Sequence, residues 1–307
     1  MDQHLLTFVT VCEKKNFTRA AESLHLTQSA VSLEIKNLEA KYGVKLLDRT
    51  NKYVRLTKAG EILYFHAKEI VNLHEKAQRL IEDLSFTSSG PLVIGSSYTF
   101  GEYALPRIIA NFVNEYPKVT PSINIRNTKR VIDQVLQREI DVGIIEGTAE
   151  HPDLTIHPFA QDEMVVIVPH NHRLSQYKEI DAAKLASETW ILREKGSGTR
   201  EMTDRILSTI GLSPESVMEF GSSQIIKESV ESGLGISAIS EWAIRKEVTY
   251  GTLIPLRIKD QSFKRNMYYV THASQFQTKA TELFIDFLCS NAVPIIGGYN
   301  RKVAFKW

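Results

Sequence analysis

Phe17-Thr18-Arg19-Ala20-Ala21-Glu22-Ser23-Leu24-His25-Leu26-Thr27-Gln28-Ser29-Ala30-Val31-Ser32 is the stretch from which the fold of this chain is read. Before it, Leu5, Phe8, Val9 and Cys12 recur at helical spacing, and Asn16-Phe17-Thr18 breaks that pattern. Thr18 is placed to cap a helix through about His25, with Phe17 as the N′ member of a hydrophobic staple. Leu26 falls in a very short turn. Thr27 can cap a second helix to about Tyr42, and Gly43 can end it in the left-handed conformation. Two helices joined this tightly predict a helix-turn-helix. Its second helix carries Val31, Ile35 and Leu38 on one face and Gln28, Ser29, Ser32 and Lys36 on the other. A helix that packs on one side and enters a major groove with the other needs that division. Gln28 can make paired hydrogen bonds to an adenine edge, while Thr18, Thr27 and Ser29 suit phosphates at helix starts.

Residues 46–56 predict a two-stranded wing with Asn51-Lys52 at its tip, where Arg49, Lys52 and Arg55 can follow the phosphate backbone. Thr57 then starts a long helix to about Phe86. On it Leu63, Ile70, Ala77 and Leu84 recur every seven residues, as do His66, Leu73 and Leu80, offset by three. Such a stripe over about three heptads predicts a homodimer through residues 59–87. The alternative is packing against the same chain's other domains.

Charge distribution agrees with a DNA-binding head. Residues 1–60 hold ten Lys/Arg against six Asp/Glu, while the whole 307-residue chain has a net charge of only +1. The length implies two or three compact units. Two cysteines, Cys12 and Cys289, form no framework, which suits a reducing compartment and a cytoplasmic location. Met1-Asp2-Gln3-His4 does not open a signal peptide, and no apolar run approaches the ~20 residues that span a bilayer. No membrane partner and no cofactor are expected.

Thr87-Ser88-Ser89-Gly90-Pro91 reads as a linker. Beyond it, strands are expected at 92–95, 122–126, 141–145, 164–169, 188–192, 217–221, 235–239 and 267–272. Helices are expected at 101–115, 128–139, 199–210, 223–233 and 278–290. This alternation predicts two α/β subdomains with largely parallel sheets.

The region beyond the linker repeats one device: a strand ends, a Gly/Ser/Thr loop follows, and a helix begins. Ser96-Ser97-Tyr98-Thr99, Gly196-Ser197-Gly198-Thr199-Arg200 and Gly221-Ser222-Ser223 are the three cases. Such loops either merely cap their helices or converge to surround a small anion with neutral donors. Arg200, or else Arg193 or Lys195, would supply positive charge. Ile145-Glu146-Gly147-Thr148 ends a strand toward the same cleft. Glu146 there disfavours a bare dianion. It would pair with Arg200 or accept a proton from the ligand, or serve as a structural salt bridge.

The quoted stretch, with Ile35, Leu38-Glu39, Gly43, Leu46, Arg49 and Thr57-Lys58-Ala59-Gly60, resembles the N-terminal domain of LysR-type transcription regulators over about 60 residues. The resemblance implies a winged helix-turn-helix over 1–58, and a dimerisation helix and hinge over 59–89. It further implies an effector-binding region over 90–292 of periplasmic-binding-protein type, and a tail over 293–307. Subdomain I would hold 90–162 with 268–292, and subdomain II 163–267. The class is therefore α+β multidomain, usually a homotetramer on double-stranded DNA, with RNA polymerase as partner if the protein activates. Leu33 and Glu34 depart from the family's usual residues, so base preferences there are not carried over. Leu33 would touch a thymine methyl, and Glu34 would accept from cytosine or face solvent. Leu47 replaces a frequent Phe, a packing change.

Trp190 to Glu201 and Gly233-Leu234-Gly235-Ile236-Ser237 resemble the sulfite-reduction and cysteine-biosynthesis branch. That implies a sulfur oxyanion, sulfite first, over organic carboxylates or cysteine precursors. Carried over by position, Ser96, Ser97, Thr99, Thr199 and Arg200 are the contacts, with Glu146, Ser197 and Ser222 beside them. Two rivals are weaker. An enzyme would need a nucleophile elbow or a partnered His, and nine histidines without metal-ligand spacing supply neither. A transport solute-binding protein would need a signal peptide and no helix-turn-helix.

Overall fold

The computed structural model describes residues 3–49, 53–83, 90–147, 149–273 and 276–300. Asn51, Lys52, Leu84, Thr87 to Ser89, Thr148 and residues 301–307, named above, lie outside them, as does the Arg49 side chain. Two compact units emerge: Met1–Ser85 with Gln137–Glu139, and Phe86–Leu136 with Ile140–Trp307.

The first unit is built from α1 (Gln3–Lys14), α2 (Phe17–Ser23), α3 (Gln28–Tyr42), β1 (Leu47–Arg49), β2 (Val54–Leu56) and α4 (Lys58–Asp83). Leu5, Phe8 and Val11 of α1, Ala20 and Ala21 of α2, and Val31, Ile35 and Leu38 of α3 form one buried core. Thr27 caps α3, its Oγ1 accepting from the Ala30 N–H at 3.2 Å, and Gly43 closes it at φ 69°. The cap of α2 is Asn16, not Thr18: its side chain accepts from Arg19 N–H at 3.0 Å. Asn16 already holds the extended conformation a cap needs, so Phe17 and Thr18 become the first helical residues.

β1 and β2 pair antiparallel, Leu47 opposite Leu56. Glu39 fastens the wing to α3 by accepting from Leu46 N–H (2.8 Å) and Leu47 N–H (3.2 Å). Thr57 Oγ1 donates to Lys45 C=O at 2.8 Å and accepts from Gly60 N–H at 3.0 Å. Gly60 packs against the wing so closely that a Cβ there would stand 2.0 Å from Leu46 O. On α4, Ala67 and Val71 are buried in the head's core and Leu63 packs on it. Ile62, Phe65, Ile70, Leu73 and Ile81 stay exposed. The apolar stripe therefore includes Ile70 and Leu73 of the expected heptads but runs also through Ile62, Phe65 and Ile81.

The second unit comprises β3 (Gly90–Ser96), α5 (Tyr98–Tyr103), α6 (Leu105–Glu115), β4 (Val119–Ile125), α7 (Thr128–Leu136), β5 (Val142–Glu146), β6 (Leu154–Pro169), β7 (Glu179–Ile180) and β8 (Thr189–Arg193). It continues with α8 (Gly198–Thr209), β9 (Ser216–Phe220), α9 (Ser223–Glu231), β10 (Ser237–Ser240), α10 (Arg245–Tyr250), β11 (Leu253–Ile258), β12 (Phe263–His272) and α11 (Lys279–Asn300). One lobe has β3 parallel to β4 and β5, covered by α6 and α11 through Phe112, Phe284 and Leu288, and by α7 through Val131 and Val135. In the other, Trp190, Met202, Ile206 and Ile236 form one core and Ile226, Val230 and Ile239 a second.

Two long strands join the lobes. β6 and β12 pair antiparallel from Phe263↔Met164 to His272↔Leu154, with an irregularity between Met267 and Tyr268. Phe159 and Met267 belong to the first lobe's core, Met164 and Phe263 to the second's. The sheet is therefore mixed: β12 also runs antiparallel to β5, and β10 and β11 to β6. β7, β11 and the first ten residues of β6 were not expected. Residues 154–163 mix polar side chains into a half-exposed strand, so no apolar run marks it.

The expected tail also needs correction, because residues 293–300 continue α11 past Pro294. Ala292 and Ile296 are buried in the lobe core, and that packing overrides the helix-breaking preference of Pro294, Gly297 and Gly298. Lys279–Gly297 is long and apolar enough to cross a membrane, which qualifies the reading of the apolar runs above. Its face through Phe284, Leu288 and Ala292 instead lies in the core.

Candidate functional site

The DNA-facing candidate is the outer face of α3 with the wing. Gln28, Ser29 and Lys36 are exposed there, with Ser32 half-buried at its flank. Gln28 Nε2 donates to Ser32 Oγ at 3.0 Å, and the Thr27 and Ser29 hydroxyls share a hydrogen bond of 3.0 Å. These local bonds hold the side chains in place on the free protein. Thr18 is exposed on α2, and Arg55 lies in the wing with its guanidinium 4.7 Å from the Tyr53 ring centre. Glu34 neither faces open solvent nor stands free for a cytosine, because it pairs with His4.

The second candidate lies at the seam of the two lobes, and each predicted loop can be judged by what its hydroxyl does. Ser222 accepts from Ile225 N–H and so caps α9; it stays outside the buried cluster. Ser97 and Ser197 begin α5 and α8 without any side-chain cap bond, and both are buried. Ser97 Oγ donates instead to Glu146, as does Thr99 Oγ1 at 3.3 Å. Thr199, from the other lobe, stands 3.3 Å from Thr99 and 3.4 Å from the same carboxylate. Ser96 turns its hydroxyl onto Ser97 C=O and supports the loop from behind. The lobes approach closely here: a Cβ on Gly198 would lie 2.2 Å from Glu146 O. Thr128 Oγ1 donates to that carbonyl at 2.9 Å and accepts from Gly198 N–H at 3.3 Å.

The positive charge at this seam is not Arg200. Its guanidinium is drawn outward to Asp204 (3.0 Å), Glu219 (2.9 Å) and Arg193 C=O (2.9 Å). The i, i+4 carboxylate on α8 and the acidic residue on β9 compete for it successfully. Arg193 is buried but is held by Glu194, Ser223 and the Tyr98 ring, and Lys195 is exposed. Arg265 of β12 supplies the charge. Its side chain is 4% exposed; it donates to Asp162 (2.8 Å), Thr199 (3.1 Å) and Thr99 (3.2 Å), and lies 3.8 Å from Glu146. Asp162 also accepts from Ser240 at 2.7 Å. Burial holds the Asp162 carboxyl above its ordinary range, against the opposing pull of Arg265 and Ser240.

Arg265 and Asp162 escaped the loop-based reading because both sit in strands. Strand periodicity carried the signal: Arg265 shares a face with Phe263 and Met267, and Asp162 with Met164, all buried. A cavity of about 250 Å³ touches Arg265, Gly147 and Gly198 and is lined also by Gln161, Arg205, Lys264, Asn266 and the acidic Glu201. It suits a ligand of a few heavy atoms. Among the described residues no group of three His, Cys, Asp or Glu is placed to hold a metal ion.

Residues 3–61 match the bacterial regulatory helix-turn-helix proteins of the lysR family, and residues 87–292 match the LysR substrate binding domain. The chain is 41% identical over 287 residues to the HTH-type transcriptional regulator CysL of Bacillus subtilis (strain 168), covering 94% of this chain and 96% of that one. It is 34% identical over 290 residues to a probable RuBisCO transcriptional regulator of Cyanidioschyzon merolae (strain NIES-3377 / 10D), covering 92% and 95%. Among solved structures, full-length OxyR from Pseudomonas aeruginosa superposes with TM-score 0.72 at 25% identity, covering 94% of this chain and 97% of that one.

Proposed function

This chain belongs to the LysR family, whose members are DNA-binding transcription regulators and not enzymes, and on that footing we propose a sulfite-type anion as its effector. The anion occupies the Arg265 seam and switches the protein as an activator of sulfur-assimilation and cysteine genes. The supporting observation is Arg265 itself, a buried guanidinium that donates to one hydroxyl of each lobe, Thr99 and Thr199. A ligand there meets a positive charge and donors fixed by both lobes, so its binding is coupled to their closure. Glu146 and Asp162 weigh against a bare dianion, since like charges repel strongly in a buried site. Sulfite takes up a proton near neutrality and can then donate to Glu146. The 41% identity to CysL supports the sulfur branch.

A second reading, an organic carboxylate or amino-acid precursor, draws on the same two carboxylates, which would accept from an ammonium group. The similarity to RuBisCO regulators also supports it. On the DNA side, Thr18, Thr27, Gln28, Ser29, Ser32, Lys36, Arg49, Lys52 and Arg55 are the proposed contacts. The exposed stripe of α4 supports a homodimer through 59–87, two of which make a tetramer on DNA, with RNA polymerase as the activator's partner. The working compartment is the cytoplasm.

Calorimetric titration of the full-length protein with sulfite, sulfate, thiosulfate and O-acetylserine tests the reading. The expected result is micromolar sulfite binding, weakened about tenfold or more by Thr199→Val, the range for a lost hydrogen bond to a charged group. Binding of O-acetylserine without sulfite would replace the first reading with the second.

A further inference from the structure

The outer face of α3 is polar apart from Leu33 and, toward the helix end, the small Ala40 and the ring of Tyr42. Leu33 is 58% exposed, and its neighbours on that face are Ser29, Lys36 and Asn37. At about 100° per residue, Leu33 stands roughly opposite the buried row Val31, Ile35 and Leu38. It is therefore the side chain carried farthest into a groove entered by this face. A leucine can neither donate nor accept a hydrogen bond. Placed against most base-edge atoms of the major groove, it would strip water from a donor or acceptor and return nothing. One base-edge feature of the unmodified major groove is apolar, the C5-methyl of thymine. We infer that Leu33 is a specificity-determining residue of this regulator and reads a thymine through that methyl. The polar bonds beside it are compatible with this role: Gln28 is tied to Ser32 and Thr27 to Ser29, and Leu33 stays exposed next to them. Glu34, the next residue, is turned away by its pairing with His4 and does not compete for the same base pair.

The experiment selects duplexes with the full-length protein from a randomised DNA pool. Each thymine of the enriched consensus is then replaced by uracil, which keeps the pairing edge and the O4 acceptor and removes only the methyl. For the unaltered protein, one position per half-site is expected to lose about four-fold in affinity, corresponding to about 0.8 kcal/mol for one buried methyl group. In Leu33→Ala the same replacement is expected to have no effect, and in Leu33→Arg the preferred base at that position shifts from thymine to guanine. Both variants alter an exposed side chain, so an unchanged thermal midpoint separates altered reading from altered folding. Equal affinity for every uracil duplex, or a methyl dependence that persists in Leu33→Ala, would overturn the assignment while leaving DNA recognition by α3 intact. Failure to enrich any sequence would overturn it together with the sequence-specific reading on which it rests.

Discussion

Replacing Arg265 by Met leaves the shape of the seam nearly intact and removes the guanidinium that joins Asp162, Thr99, Thr199 and Glu146. Three donated hydrogen bonds disappear, to Asp162, Thr199 and Thr99, and Glu146 loses a cation 3.8 Å away. Both carboxylates are buried, with side chains 0% and 2% exposed. Water therefore cannot take over the role of the arginine. Removing one member of a buried ion pair costs about 3–5 kcal/mol, most of it from the charge left behind. Asp162 relieves part of that cost by protonating, because burial already raises its pKa. The expected loss for Arg265→Met is accordingly about 3 kcal/mol, near the low end. Urea unfolding of the full-length protein reports it through Trp190 and Trp242, both buried in the second unit. Asp162→Asn in the Arg265→Met background should recover about 1 kcal/mol or more, since the stranded charge is gone. A loss below about 1 kcal/mol for the single variant, or strict additivity in the double, would refute the view that these groups form one coupled buried cluster.

Three further outcomes follow from other contacts. Gly60→Ala places a Cβ against backbone at Leu46 O and should lower the stability of the first unit by about 1–3 kcal/mol, with weaker DNA binding; thermal unfolding and anisotropy titration measure both. The Asp162 carboxyl is raised in the folded state, so its contribution is present at low pH and lost as pH rises through that raised value. Relative to Asp162→Asn, the unaltered protein should therefore lose stability from about pH 4 upward, read from denaturation midpoints at a series of pH values. Cys12 is pushed up to about 12 by burial while Cys289 is exposed, so a thiol reagent at about pH 8 should modify Cys289 in the folded protein and Cys12 only after unfolding.

The head was legible because its signals are local. Thr27, Gly43 and the Val31, Ile35, Leu38 spacing each act within one helix, and the structure keeps them in those roles. Asn16 was passed over for Thr18 because both are good caps and only backbone conformation separates them. In the sensing unit, loops that end strands and start helices were visible, and two of the three send hydroxyls into the seam. The charge was misplaced because Arg200 stands in the right loop while its partners, Asp204 and Glu219, lie one turn and one strand away. Arg265 and Asp162 meet through the antiparallel pairing of β6 and β12, a contact 103 residues apart that no local window contains. The same pairing turns the expected parallel sheet into a mixed one.

The proposed switch requires coupling between the Arg265 seam and the DNA-bound form. A nuclease footprint on a duplex selected by the full-length protein, taken with and without saturating sulfite, examines that coupling. The footprint of the unaltered protein should change in length or in its hypersensitive positions on adding sulfite, and that of Thr199→Val should change only at about tenfold or more higher sulfite. An identical footprint under conditions where calorimetry shows sulfite bound would contradict the account, because a ligand that leaves the DNA-bound arrangement unmoved has no differential affinity for the two states.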